Sequence, residues 1–130
     1  MQAFEALGIS EKTLAALEKK GFKTPSPIQE KAIPLLLNTD KDVIGQAQTG
    51  TGKTAAFGIP IIERIDLSNN EVQALVLTPT RELAMQVCEE IGSLADDRKL
   101  ENASLLWRRF HRKTNVGFRK RRPYCSRYAG

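Results

Sequence analysis

The segment from Gly45 to Thr54 has residue types and a spacing suited to holding phosphate groups. It reads Gly-Gln-Ala-Gln-Thr-Gly-Thr-Gly-Lys-Thr. Gly50 and Gly52 allow a tight turn in which successive N–H groups face one anion. Lys53 supplies a positive charge for the outer phosphates, and Thr54 supplies a hydroxyl for Mg²⁺. The pattern therefore predicts a phosphate-binding loop with Lys53 and Thr54 as its catalytic side chains.

The flanking segments are those that such a loop requires. A short apolar run, Asp42 to Ile44, predicts a strand before the loop, and the segment 55–59 predicts the start of a helix after it. Ala47 departs from the general pattern, which has glycine at that position. The alternative interpretation is a solvated turn rich in glycine and threonine, but it does not explain the complete Gly-Lys-Thr ending in this context.

The basic charge of the chain is confined to its last part. The 130 residues, enough for one domain, include 20 basic and 15 acidic side chains. The segment from Ala103 to Gly130 has nine of the basic residues and no acidic one, which leaves 11 basic against 15 acidic in the rest, a net charge of −4. A nucleic-acid partner predicted from net charge would therefore bind the tail alone.

Apolar patterning and cysteine usage indicate a cytoplasmic protein. No window is long and apolar enough to span a bilayer, and the N-terminus lacks a signal-peptide pattern. Cys88 and Cys125 form no metal-spaced cluster, so both are interpreted as free thiols in a reducing compartment.

Two helices are predicted before the loop. Ser10 is a suitable N-cap for a helix from Glu11 to about Lys20. Pro27 fits the first turn of a second helix that runs toward Leu37 and has Gln29 near its start. On general tendency alone, Gln29 is a solvated helix residue.

The segments after the loop predict alternating helix and strand. A helix extends toward Arg64, with Pro60 forcing a kink or an early end. The run 74–77 is short and apolar, as a parallel strand buried on both faces would be, and a helix follows it to about Leu94. This alternation predicts an α/β fold, in which ligands gather beyond the carboxyl ends of the strands.

Two stretches together resemble the DEAD-box ATP-dependent RNA helicases of bacterial type. Gly-Phe-x-x-Pro-Ser-Pro-Ile-Gln, ending at Gln29, resembles the Q motif, and Ala-Gln-Thr-Gly-Thr-Gly-Lys-Thr resembles motif I. The family has Ala at position 47, and its isolated upstream aromatic residue has a counterpart in Phe4. The resemblance implies that residues 1–102 are the N-terminal part of a RecA-like P-loop NTPase domain, a parallel sheet with flanking helices, and that the Q motif covers about 3–31.

The resemblance also implies ATP and Mg²⁺ as cofactors. Gln29 would hydrogen-bond the adenine edge, Phe22 would pack near the base, and the site would prefer ATP to GTP, because an amide that pairs with one purine edge leaves groups unsatisfied against another. The remaining implied nucleotide contacts are Ala47, Gln48, Thr49, Gly50, Thr51, Gly52, Lys53 and Thr54, with Thr54 as the metal ligand.

A third stretch, Pro-Thr-Arg-Glu-Leu-Ala from Pro79, resembles motif Ia of the same family. The resemblance implies that Pro79, Thr80 and Arg81 touch an RNA backbone, a kind of contact that supplies affinity without sequence specificity. The alternative is that Arg81 is a helix-entry residue paired with a neighbouring glutamate, Glu82 or Glu89. No obligate protein partner follows from the sequence.

From about Ala103 the family pattern stops. Advancing the reading frame by one base allows the codons around Trp107 to restore the family's Tyr-Gly-Gly stretch, and those from Tyr124 to Gly130 to give Ile-Val-Val-Gly-Thr-Pro. We therefore interpret residues 103–130 as an out-of-frame and disordered tail. The alternative is an RNA-binding arm with aromatic residues that stack on bases among the arginines.

The family's Asp-Glu-Ala-Asp and Ser-Ala-Thr motifs and its second domain have no counterpart in these residues. The parent enzyme is thus predicted to couple ATP hydrolysis to RNA unwinding, while this chain alone is predicted to be inactive and to retain at most nucleotide binding. The sequence is also compatible with a nucleic-acid-binding module driven by the tail, or with a nonfunctional product that leaves strand edges unpaired.

Overall fold

A computed structural model describes residues 2–69, 71–95, 104–106 and 125–128. In chain order its elements are α1 (Gln2–Glu5), α2 (Glu11–Lys19), α3 (Pro27–Asn38), α4 (Lys53–Arg64), β1 (Leu75–Thr78), α5 (Arg81–Ala95), β2 (Ser104–Leu106) and β3 (Cys125–Tyr128). The chain forms two compact units. The first comprises Met1–Ile65 and Glu90–Arg98, and the second comprises Asp66–Glu89 and Lys99–Gly130.

Helices α1 to α4 build the first unit around an apolar core. Helix α3 starts with Pro27, and Ser26 and Gln29 are placed as in a capping box, in which the Gln29 side chain accepts from the backbone N–H of Ser26. The fully buried side chains include Phe4, Leu17, Ile33, Ile59 and Ile62. The predicted helices α2, α3 and α4 are confirmed to within about two residues at each end, and the predicted helix after β1 is confirmed as α5, which begins at Arg81 and ends one residue beyond Leu94.

Pro60 lies inside α4 rather than at its end. The helix continues to Arg64, and Ile65 N–H still donates to the Ile61 carbonyl at 3.1 Å. Of the two effects predicted for Pro60, a kink or an early end, the early end is therefore wrong. Pro60 is buried together with Ile59 and Ile62, and this packing stabilises the last turn although the proline ring removes one backbone donor.

The second unit contains a parallel three-stranded sheet in the order β1-β3-β2. Thr78 at the end of β1 is buried, but Leu75 and Leu77 are 57% and 64% exposed. The prediction that this strand is buried on both faces is wrong, because alternate side chains of β1 face a side that no described element covers.

The predicted strand at Asp42 to Ile44 is also not observed. These residues have no regular secondary structure, and Ile44 is fully exposed. A strand exists only when a neighbour accepts and donates its backbone hydrogen bonds, and no described strand pairs with this segment. The apolar run that precedes the loop therefore has no neighbouring strand among the described residues, and it does not form the strand that its composition predicts.

Strands β2 and β3 lie within the segment 103–130 that the sequence predicts to be disordered. At these residues the structure has paired strands instead, since backbone hydrogen bonds can form with almost any side chain. β2 ends just before Trp107, and β3 coincides with the residues for which the shifted frame gives Ile-Val-Val-Gly-Thr-Pro. The out-of-frame origin of the tail stays a hypothesis, and the rest of the tail lies outside the described residues.

Within the described ranges, no helix is long and apolar enough to cross a membrane.

Candidate nucleotide-binding site

The loop before α4 adopts the left-handed turns that its glycines allow. Gly50 and Gly52 both have φ of +77°, and Gly52 is the residue that precedes the first turn of α4. Lys53 Nζ donates to the Ala47 carbonyl oxygen at 2.5 Å, and the Thr51 hydroxyl donates to the Gln48 carbonyl at 2.7 Å. These bonds close the loop on itself, with the lysine ammonium folded back over it.

The start of α4 is suited to an anion. In a helix the first N–H groups have no partner within the helix, and the dipole places partial positive charge there. Gly52 has no side chain to cap these groups, so those of Lys53 and Thr54 remain for a ligand. Thr54 is half-buried in this first turn, and its hydroxyl is a suitable oxygen ligand for a hard cation such as Mg²⁺.

Gln29 is buried against the loop rather than solvated. Its side chain is 2% exposed, so the interpretation based on the general tendency of glutamine is wrong. Gln29 Oε1 accepts from the Ser26 N–H at 2.9 Å, and Nε2 donates to the Gly52 carbonyl at 3.1 Å. The Ser26 hydroxyl donates to the Thr51 carbonyl at 2.7 Å. One end of α3 thus binds two consecutive carbonyls of the loop.

Phe22 lies between α2 and α3 and is half-buried. Its ring makes an edge-to-face contact with Phe4, with centroids 6.2 Å apart and planes at 77°. Its N–H donates to the Leu17 carbonyl at 3.0 Å, next to Gly21 at φ +78°. The backbone of Phe22 is therefore fixed to the end of α2, and Phe4 supports its ring.

The other predicted loop contacts differ in exposure. Gln48, Thr49 and Gly50 are exposed at the tip of the loop, whereas Ala47, Thr51, Gly52, Lys53 and Thr54 are half-buried nearer to its base. All of them belong to the first unit, together with Phe22 and Gln29.

The predicted RNA contacts lie in the second unit, between β1 and α5. Pro79, Thr80 and Arg81 are all exposed. The Thr80 hydroxyl accepts from the Leu83 N–H at 3.3 Å and so caps α5. Arg81 forms no ion pair with any residue in the described ranges, so its pairing with Glu82 or Glu89 is not observed.

Sequence reasoning missed one residue that bonds the loop and one that joins two helices of the first unit. Ser26 bonds the loop directly, and the Ser-x-x-Gln pattern of a capping box was a signal that could have found it. Glu63, near the end of α4, accepts hydrogen bonds from the start of α2. No short sequence pattern predicts that contact, because it joins residues about 50 positions apart.

Neither a metal cluster among the described residues nor the Cys88 thiol offers a competing site. The part of the chain that the structure describes contains no group of three or more His, Cys, Asp or Glu side chains placed to hold a metal. Burial, and to a lesser extent the charge of Glu89, raise the pKa of the Cys88 thiol, which favours its unreactive protonated form.

A glycine loop at the start of a helix, together with a parallel sheet and flanking helices, defines a RecA-like P-loop nucleotide-binding fold, here as an incomplete domain. Comparison with known families gives the particular class. The family described as "DEAD/DEAH box helicase" matches residues 26–116. The chain belongs to this family.

Curated relatives in bacteria agree with this assignment. The chain is 60% identical over 91 residues to the DEAD-box ATP-dependent RNA helicase CshA of Geobacillus kaustophilus, an alignment that covers 70% of this chain and 19% of the relative. It is 55% identical over 98 residues to the ATP-dependent RNA helicase CshA of Listeria monocytogenes, covering 75% and 19%. The chain thus spans about a fifth of the length of these relatives.

Solved structures of the family have the same fold. A DEAD box protein from Methanococcus jannaschii aligns with a TM-score of 0.80 at 36% identity, covering 97% of this chain and 34% of that one. Dbp5 of S. cerevisiae, solved with RNA and ADP BeF3, aligns with a TM-score of 0.84 at 30% identity, covering 98% and 32%. The predicted family and fold class are confirmed.

Proposed function

We propose that this chain binds ATP with Mg²⁺ as the nucleotide-binding part of a DEAD-box RNA helicase. The observation that supports this most strongly is the hydrogen bond from Gln29 Nε2 to the Gly52 carbonyl. It joins the segment expected at adenine to the loop expected at the phosphates. One amide N–H and one oxygen lone pair of Gln29 have no partner among the described residues and suit a purine edge.

On the phosphate side, the loop and the first turn of α4 act together. The N–H groups at the start of α4 bind phosphate oxygens, and Lys53 exchanges its bond with the Ala47 carbonyl for a stronger one to an anion. Thr54 holds Mg²⁺, which neutralises phosphate charge when bound. The exposed tip, Gln48 to Gly50, encloses the phosphates from the solvent side.

On the RNA side, Pro79, Thr80 and Arg81 would contact a backbone without reading its sequence. All are exposed, and Arg81 has no competing ion pair within the described ranges. The structure of the related Dbp5 was solved with RNA and ADP BeF3. We therefore assign this face of the second unit to phosphate and sugar contacts.

ATP hydrolysis and RNA unwinding are proposed for the longer parent protein and not for this chain alone. The 130 residues contain no Asp-Glu-Ala-Asp sequence. Phosphoryl transfer depends on positioning a water molecule and on neutralising charge in the transition state. Without an acidic group for the first task, the chain would bind nucleotide and turn over slowly or not at all.

Lys53→Ala is expected to weaken binding of a fluorescent ADP analogue in the presence of Mg²⁺ by about tenfold, because it removes one charge-assisted hydrogen bond to phosphate. Lys41→Ala is the matched control, since Lys41 is an exposed lysine that precedes the loop. Unlabelled ATP should displace the probe better than GTP. Absence of saturable binding, or equal effects of the two lysine variants, would contradict the proposed site.

The second candidate function, a nucleic-acid-binding module, is favoured by the nine basic and no acidic residues after Asn102. Deleting residues 103–130 separates the two functions. We expect the shortened chain to keep its affinity for the ADP analogue within about twofold, since the loop and Gln29 lie in the first unit. The module would be favoured if the full chain bound RNA but no nucleotide in a filter assay, and if the shortened chain no longer bound RNA.

A further inference from the structure

Glu63, on α4, accepts hydrogen bonds from the start of α2. The Ser10 N–H donates to Oε2 at 3.4 Å, and the Ser10 hydroxyl donates to Oε1 at 2.8 Å. The Thr13 hydroxyl also donates to Oε1. Since 50 or more positions separate Glu63 from these residues, the contact ties two helices together through tertiary structure.

This contact takes the place of an ordinary helix cap. Ser10 has the extended backbone of an N-cap residue, at ψ 152°, but its hydroxyl makes no cap bond within α2. The Glu63 carboxylate instead lies at the positive end of the α2 dipole, where an anion is stabilising. Thr13 is 1% exposed, so its bond to Glu63 is shielded from water. Helix α4 therefore anchors the first turn of α2.

The two joined helices lead to opposite sides of the proposed nucleotide site. Helix α4 begins with Lys53 and Thr54, on the phosphate side. Helix α2 ends at Lys19, and the backbone of Phe22 is bonded to the Leu17 carbonyl in its last turn. A shift of α2 along α4 would therefore move Phe22 relative to Lys53.

We propose that Glu63 is a positioning residue that sets the base side of the site, at Phe22, against its phosphate side, and that binding of the base depends on it. The proposal rests on the proposed function. Glu63 does not touch the nucleotide in this proposal. It acts through the first turn of α2, and so it should affect recognition of the base more than recognition of the phosphates.

Competition against a fluorescent ADP analogue by ATP, GTP and inorganic triphosphate tests this. In Glu63→Ala, the ratio of ATP affinity to inorganic triphosphate affinity should fall by about threefold or more, which corresponds to loss of part of one contact with the base, and GTP should lose as much as ATP. The affinity for inorganic triphosphate should change little, because that ligand touches only the loop. Glu18→Ala, an exposed glutamate on α2, is the matched control.

Thr13→Val keeps the shape of the buried side chain and removes its hydroxyl, which bonds Glu63 and also contacts the Ser10 hydroxyl, and it should lower the ratio by a smaller factor. Thermal unfolding identifies variants that remain folded, and Thr13→Val decides the matter where Glu63→Ala does not fold. An unchanged ratio in a folded variant, which includes equal losses for ATP and triphosphate, would overturn the role of Glu63 and leave the proposed function standing. A wild-type chain that binds no nucleotide would overturn the proposed function as well.

Discussion

Gly52→Ala is expected to abolish measurable nucleotide binding and to lower the free energy of unfolding by about 3 kcal/mol, whereas Gly50→Ala should lower it by about 1 kcal/mol. Both glycines have φ of +77°, so an alanine meets left-handed backbone strain at either position. Comparing the two variants therefore separates the effect of backbone strain from the effect of a clash between the new methyl group and neighbouring side chains.

The contact differs sharply between the two positions. A Cβ at position 52 would lie 2.3 Å from Gln29 Nε2 and 3.3 Å from its Cδ, whereas a Cβ at position 50 meets nothing within 4 Å. Gln29 is buried and held by the Ser26 N–H, so it can move away only by breaking its bonds to Ser26 and to the Gly52 carbonyl. A methyl group at 52 would thus separate α3 from the loop.

Urea unfolding and binding of the ADP analogue measure the two effects. The expected order of stability is wild type, then Gly50→Ala, then Gly52→Ala. Equal losses of stability in the two variants would show that only backbone strain matters, and that the contact between Gln29 and Gly52 contributes nothing measurable.

Gln29→Glu is expected to lower the free energy of unfolding by about 2 kcal/mol and to weaken nucleotide binding more than tenfold. The carboxylate can still accept from the Ser26 N–H, but it cannot donate to the Gly52 carbonyl. It would also place a negative charge at a position that is 2% exposed, beside a carbonyl oxygen and near the expected phosphates.

Gln86→Glu is the matched control, because Gln86 is an exposed glutamine on α5 and carries the same change of charge. Its stability should stay within about 0.5 kcal/mol of wild type. If Gln29→Glu were as stable as this control and bound the ADP analogue as tightly as wild type, the proposed link between α3 and the loop would be wrong.

The local elements of this chain were readable from its sequence. Ser10 and Pro27 predicted the starts of α2 and α3, because capping and fixed proline geometry act over a few residues. The glycine spacing predicted the turn before Lys53 for the same reason, and the motifs around it were specific enough to indicate the family. The early end that Pro60 predicted as one alternative did not occur, since the effect of a proline also depends on the residues that pack around it.

What required the tertiary structure was the partner of each residue. Composition predicted a strand at Asp42 to Ile44 and burial of Leu75 and Leu77, but both depend on neighbours that the described residues do not supply. Gln29 is buried against Gly52, which is 23 positions away, and Glu63 accepts from Ser10, which is 53 positions away. Helix caps and turns depend on adjacent residues, so the sequence alone determined them, whereas burial and pairing depend on distant segments that only the folded chain brings together.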